Sequence, residues 1–392
     1  MRAYRKKRRC RALGGAAPAA PGERAAPLGV LLSQGKKFLI WTAAALLALT
    51  VTVRAAEVPE DLVRSAPEAA EELLEGADLT AGGLTAALAQ LLQSLGDRAG
   101  EMVRQRLRGA AAILLVVVLC GAAEGFFQGS GMKSPPFLPM AGALSVTMAA
   151  AGSLDSLLGL GASTIDELSA FSQTLLPTLA AATAAAGAVT TATVQQVATV
   201  FFVDLLIRLI DRVCLPMVYL YIGVVTAAAC LPENRLGTLA DGVKKVVTWI
   251  LTGAVLAFTL YLSVVRVITG SADAVTVKVA KAAISGVVPV VGKIISDASE
   301  TVLAGAGMLK NTIGIFGTLA ILAACAYPFL QLGVQYLLYK LTAFLAGAVG
   351  APGLCRLIDG LGGAFGLILA MTGSCALLLL VSVLSSVGAV TP

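Results

Sequence analysis

Residues 110–120 read AAAILLVVVLC and residues 375–381 read CALLLLV. Neither run alternates apolar with polar residues, as a barrel strand with one lipid face and one lumen face must. Within hydrocarbon every backbone N–H and C=O has to be satisfied by the structure itself, so only helices and closed barrels cross it. Without alternation, the helix is what remains. Working outward from these runs, the chain of 392 residues is 57% hydrophobic and 13% charged, where an ordinary soluble domain carries about 25% charged residues. A water-soluble core cannot hide that much apolar surface. The fold class is therefore all-α: a polytopic helical membrane protein whose first partner is the lipid bilayer.

Runs approaching the roughly 20 residues needed to cross the slab place spans at about 109–125, 137–160, 214–231, 246–268, 311–330, 332–350 and 364–387, with one long or two short helices in the Ala- and Thr-rich stretch 175–210. That makes about seven or eight crossings. Small-xxx-small pairs at Gly121/Gly125 and Gly362/Gly366 suit close helix approach. Arg266, Tyr339 and Lys340 stand at span ends, where such residues anchor to the interface.

The formal charge of +6 is concentrated at the N-terminus, in Arg2, Arg5, Lys6, Lys7, Arg8, Arg9 and Arg11. An apolar segment, 38–53, follows Lys36 and Lys37, so the cluster reads as the n-region of an export signal and not as a nucleic-acid site. Small residues at Ala55 and Ala56 suit cleavage. The n-region is longer than a signal needs, which leaves a true start further along the chain or an uncleaved anchor. The organisation expected is 1–56 signal, 57–108 an exported acidic segment ending in an amphipathic helix, and 109–392 the multi-span domain. Arg104, Arg106 and Arg108 then fall on the exported side of the first span, against the positive-inside tendency.

The chain contains no histidine, which removes Ser-His-Asp triads, Cys-His nucleophiles and HExxH zinc sites together. Its seven cysteines are scattered singly with no CxxC pair, as small apolar filler is. No enzyme, cofactor or metal is expected, and no nucleic acid.

Residues 271–309 break the span pattern. Lys278, Lys281 and Ser285 share one helical face, and Lys293, Ser296, Asp297 and Glu300 lie opposite Ile294, Ile295 and Val302. Both halves read as amphipathic helices, joined by a link in which Gly286, Pro289 and Gly292 interrupt the helix without making it water-loving. The result is a broken amphipathic hairpin between spans, either flat at the interface or re-entrant and lining a polar cavity. The candidate cavity-lining or interface residues are Lys278, Lys281, Lys293, Asp297 and Glu300. To these are added Asp204 and Arg208, an i, i+4 pair inside apolar sequence that is either a functional pair or a neutralised helix end.

The stretch from Leu260-Tyr261-Leu262-Ser263 through Asp273 to Lys278, Ala282 to Ser285, Val288-Pro289-Val290-Val291-Gly292, Ile295 to Ala298 and Lys310-Asn311 resembles the stage III sporulation protein AE family of endospore-forming Firmicutes. The likeness extends over roughly residues 57–392 and is most specific over 260–311. The basic, Ala- and Pro-rich N-terminus departs from the family's short leader. The resemblance implies a subunit of the complex that links mother cell and forespore. Its place would be the mother-cell-derived membrane around the forespore, with the exported segment facing the intermembrane space. Its partners would be the other stage III sporulation A proteins, including an ATPase and ring-forming subunits, and stage II sporulation protein Q. The resemblance brings no catalytic residues. Beside a secretion-like channel subunit stand two other readings, a stand-alone permease and a membrane scaffold without a conduit; a scaffold would tolerate neutral residues in place of Lys278, Lys281, Asp297 and Glu300.

Overall fold

A computed structural model describes residues 58–67, 70, 81–131, 135, 137–231, 235–287 and 291–388; within it the side chains of 81–84, 128, 235, 280–287 and 291–301 are not described. The signal segment expected over 1–56 lies outside the described residues. Among the described residues there are helices and turns and no strand.

After a short α1 (Glu60–Arg64), the helices are α2 (Ala81–Gly129), α3 (Phe137–Ala185), α4 (Val189–Leu209), α5 (Leu215–Cys230), α6 (Arg235–Val287), α7 (Val291–Ala348) and α8 (Pro352–Val387). A π-helical turn, Ile210–Cys214, joins α4 to α5 without a break. Its cause is Pro216, which has no N–H to give to the carbonyl four residues earlier and so shifts the hydrogen-bond register locally. With α4 and α5 counted as one rod, six helices among the described residues are long and apolar enough to cross a membrane: Thr85–Phe127, Phe137–Ala185, Val189–Cys230, Leu236–Val279, Val302–Ala348 and Pro352–Val387. This is an integral membrane protein of the all-α class.

Six rods differ from the seven or eight crossings read from the runs, and the difference is local. The spans placed at 311–330 and 332–350 are one helix, α7, which carries Pro328 inside it. The stretch 175–210 is the end of α3, a tight turn, and the start of α4. The arms of the expected hairpin, 271–309, are helical and continue the neighbouring rods: α6 runs unbroken through residue 268 to Val287, and α7 runs unbroken from Val291 through residue 311. The boundary drawn at 108/109 also falls inside a single helix, α2. At a rise of about 1.5 Å per residue, the 49 residues of α3 span about 74 Å, well over twice the roughly 30 Å of hydrocarbon. Each rod overshoots the slab.

The apolar windows of α7 and α8 are 72% and 61% buried, against 17–28% for the other four rods, which makes α7 and α8 the central pair. Glycine brings them together: a Cβ on Gly362 would stand 3.1 Å from Tyr339 Cβ, and one on Gly366 would stand 3.2 Å from the Tyr336 ring. Gly121 meets Val349 in the same way, whereas Gly125 faces open space. Tyr339, read as an interface anchor, is 2% exposed and packs edge-on against Phe365 at 5.0 Å.

The turn between α3 and α4 requires glycine at 187, where φ is +96° and a Cβ would lie 2.9 Å from Leu303 and 3.2 Å from Val277. Beside it, Asp273 of α6 accepts the backbone N–H groups of Thr190 and Thr191, both at 2.9 Å, and the Thr191 hydroxyl at 2.6 Å. A buried carboxylate from one rod thus satisfies the orphan donors at the start of another. Further along the same seam, Gln195 donates to the Ser382 carbonyl at 2.9 Å and the Thr199 and Ser382 hydroxyls meet at 2.7 Å, tying α4 to α8 as polar side chains do inside membrane bundles. Arg266, the second expected anchor, donates to the carbonyl of Gly388 just past α8, where the helix dipole favours a cation.

Candidate functional site

Opposite the Asp273 end, the rods spread around a cavity of about 1110 Å³. Its wall is assembled from six helix ends. The last turns of α2 supply Cys120 and Glu124, the first turn of α3 supplies Leu138 and Pro139, α5 supplies Tyr221 and Cys230, and the first turns of α6 supply Asp241 and Lys244. The end of α7 supplies Lys340, and the start of α8 supplies Cys355, Arg356 and Asp359. Three carboxylates and three cations therefore line one space, balanced in charge and interleaved with apolar surface from Leu138, Val225 and Phe344.

The geometry follows from the tight α7–α8 connection. Gly350 takes φ +90° and Pro352 starts α8, so α8 folds back along α7. Lys340 Nζ then sits 2.5 Å from Asp359 Oδ1 and 5.7 Å from the centre of the Tyr336 ring. Both side chains of this pair remain part-exposed, at 31% and 52%, so the pair orients groups in the wall more than it stabilises the fold. The third expected anchor, Lys340, is thus held by Asp359. Gly363 lets Tyr221 and Lys244 close on the same wall: a Cβ there would come within 2.6 Å of the Tyr221 hydroxyl and 3.6 Å of Lys244 Nζ.

Among the described residues no group of three or more Asp, Glu or Cys is disposed to hold a metal ion. The cavity wall carries thiols, carboxylates, amines and a guanidinium, and its mixture of charge and apolar surface suits holding a solute or a polypeptide segment. Three of the cysteines read as filler, Cys120, Cys230 and Cys355, line this space, whereas Cys214, Cys325 and Cys375 are buried in the packed core. A water-filled cavity predicts that a charged, membrane-impermeant maleimide labels the first three in the intact membrane-embedded protein and spares the second three until denaturation. Equal labelling of both sets, or of neither, would refute the water-filled cavity.

Three of the residues singled out from sequence, Lys278, Asp204 and Arg208, have described side chains. Lys278 is exposed on α6. Lys281, Lys293, Asp297 and Glu300 lie among residues whose side chains are outside the description, as do the side-chain surroundings of Gly286 and Gly292; Pro289 lies outside the described residues altogether. Asp204 and Arg208 do pair, at 2.9 Å, on the outer face of α4, with side chains 58% and 66% exposed. Of these, Lys278, Asp204 and Arg208, whose side chains are described, do not line the cavity. What sequence reasoning missed was Glu124, Tyr221, Asp241, Lys244 and Asp359. A signal for part of this set was present: Lys340 and Asp359 flank a Gly-Ala-Pro turn between two of the most apolar stretches, and ionisable groups in such places mark functional positions.

A family model described as stage III sporulation protein AE matches residues 70–389. Stage III sporulation protein AE of Bacillus subtilis (strain 168) is 26% identical over 199 residues, which are 50% of this chain and 49% of that protein. The chain thus spans about half the length of this curated relative. No solved structure matches.

Proposed function

Because this chain belongs to the stage III sporulation protein AE family, we propose that it is a non-enzymatic membrane subunit of a secretion-like channel complex joining mother cell and forespore during endospore development. The observation that carries the proposal is the cavity: about 1110 Å³ of mixed charged and apolar surface at one end of a membrane-crossing bundle, shaped to receive a solute or a chain segment. The protein sits in the mother-cell-derived membrane around the forespore, with its N-terminal acidic segment in the intermembrane space. It works with the other stage III sporulation A proteins, including the ATPase and ring-forming subunits, and with stage II sporulation protein Q.

The same cavity would also serve a stand-alone permease, and dependence on partners separates the two. Affinity capture of the tagged full chain from sporulating cells is expected to bring down other stage III sporulation A proteins. Loss of the ATPase is expected to abolish function with the membrane protein still present. Capture of the chain alone, with function independent of the ATPase, would favour the permease and overturn the complex.

A further inference from the structure

The outer wall of α3 does not suit lipid. Between Met148 and Val189 no large apolar side chain is exposed, and the outward face is built of Asp155, Gly159, Ser163, Asp166, Ala170 and Gln173, with Glu167 exposed beside it. By contrast α6 exposes Trp249, Leu260 and Val267. Carboxylates on a lipid-facing wall are costly, so a face of this composition meets water or protein.

The same molecule carries a face of opposite charge. From Asp97 to Arg108, α2 holds four arginines against two acids, Asp97 and Glu101, and Arg104 and Arg108 are exposed. These are the arginines that conflicted with the positive-inside tendency.

Their heights along the bundle match those of the acids. The two helices touch where a Cβ on Gly142 of α3 would stand 2.8 Å from Cys120 Sγ of α2, and from there α2 runs back, and α3 forward, toward the same end of the bundle. Arg108 is 12 residues before Cys120 and Asp155 is 13 after Gly142, about 18 and 20 Å along the axis at helical rise. Arg98 is 22 residues before and Asp166 is 24 after, about 33 and 36 Å along. Two basic levels on one wall thus correspond in height and spacing to two acidic levels on another.

We propose that α2 of one copy docks against α3 of a second copy, with Arg104 and Arg108 opposite Asp155 and Arg98 opposite Asp166 and Glu167. The two surfaces differ, so the contact is head-to-tail. Because the matched charges stand at equal heights, successive copies are related by rotation without a rise and stay in one membrane plane. Pairing sets opposite charges against each other across the contact and lets the small residues of α3 bring the helices close.

Two measurements on the full chain test this. In lipid nanodiscs, the parent is expected to run as a multiple of the 39.7 kDa chain. Arg104→Glu with Arg108→Glu, or Asp155→Lys with Asp166→Lys, is expected to reduce it to single chains, and all four changes together are expected to restore the multiple. In membranes holding two differently tagged copies, one Arg108→Cys and the other Asp155→Cys, oxidation is expected to link the two tags well above the background of either variant alone or of the native cysteines. A single-chain parent would overturn the proposal and leave the α3 wall to a different subunit. So would multiples insensitive to the charge changes, a four-fold variant that stays single while retaining helical content, or no cross-link above background.

Discussion

Asp273→Ala is expected to lower the melting temperature of the detergent-purified protein by roughly 2–4 °C. Asp273 is 3% exposed and receives three hydrogen bonds, two of them from the backbone at the start of α4. Truncation leaves those donors without an acceptor, in a site that also holds Thr269 at 2.9 Å from Thr191. A lost cap and lost charge-assisted hydrogen bonds together cost about 2–3 kcal/mol. Thr191→Val removes only the hydroxyl and should shift the midpoint less. Asp273→Asn keeps a carbonyl acceptor and should fall between the two. An unchanged midpoint for the alanine variant would mean that the α3–α4 turn is held by packing around Gly187 alone.

Lys340→Glu is expected to abolish most heat-resistant spore formation while the protein stays inserted at parental level, and Asp359→Lys is expected to do the same. Either change sets like charges at a position where opposite charges now meet at 2.5 Å. Because both side chains are part-exposed, the energetic cost is about 1 kcal/mol after solvent screening, too little to unfold the bundle. What changes is the charge and shape of the cavity wall, so the loss should be read in function and not in stability. The double variant Lys340→Glu with Asp359→Lys rebuilds the pair in reverse and should recover part of the spore yield. Normal spore counts from both single variants would remove the cavity from the function, and a matching fall in protein level would assign the pair a structural part instead.

The helical, membrane-crossing character of the chain was legible in runs such as 110–120 and 375–381, because hydrocarbon leaves the backbone so few options. Span ends were not legible. A boundary near Leu332 came from assuming that each crossing ends where the slab ends, yet α7 continues through Pro328 to Ala348. Other rods flank α7 along its length, and extending a formed helix costs little compared with starting one. The cavity was illegible for a different reason: Glu124 and Asp359 are separated by most of the chain, and nothing in local periodicity says that six helix ends converge. Asp273 lay in the stretch that carries the family resemblance, but a carboxylate on an amphipathic helix looks the same whether it faces water or caps a neighbouring rod.

The length of the rods bears on how this molecule is met by others. A column taller than the film it pierces presents its flanks beyond the film, and those flanks are ordered helix. Whatever approaches from the aqueous side therefore touches side walls at fixed elevations, more than the tips of short turns such as Ala186-Gly187-Ala188. Contacts of that kind are graduated like a ruler: sliding by one turn, about 5.4 Å, misaligns every matched group at once, so assembly around such a column depends on elevation as strictly as on chemistry.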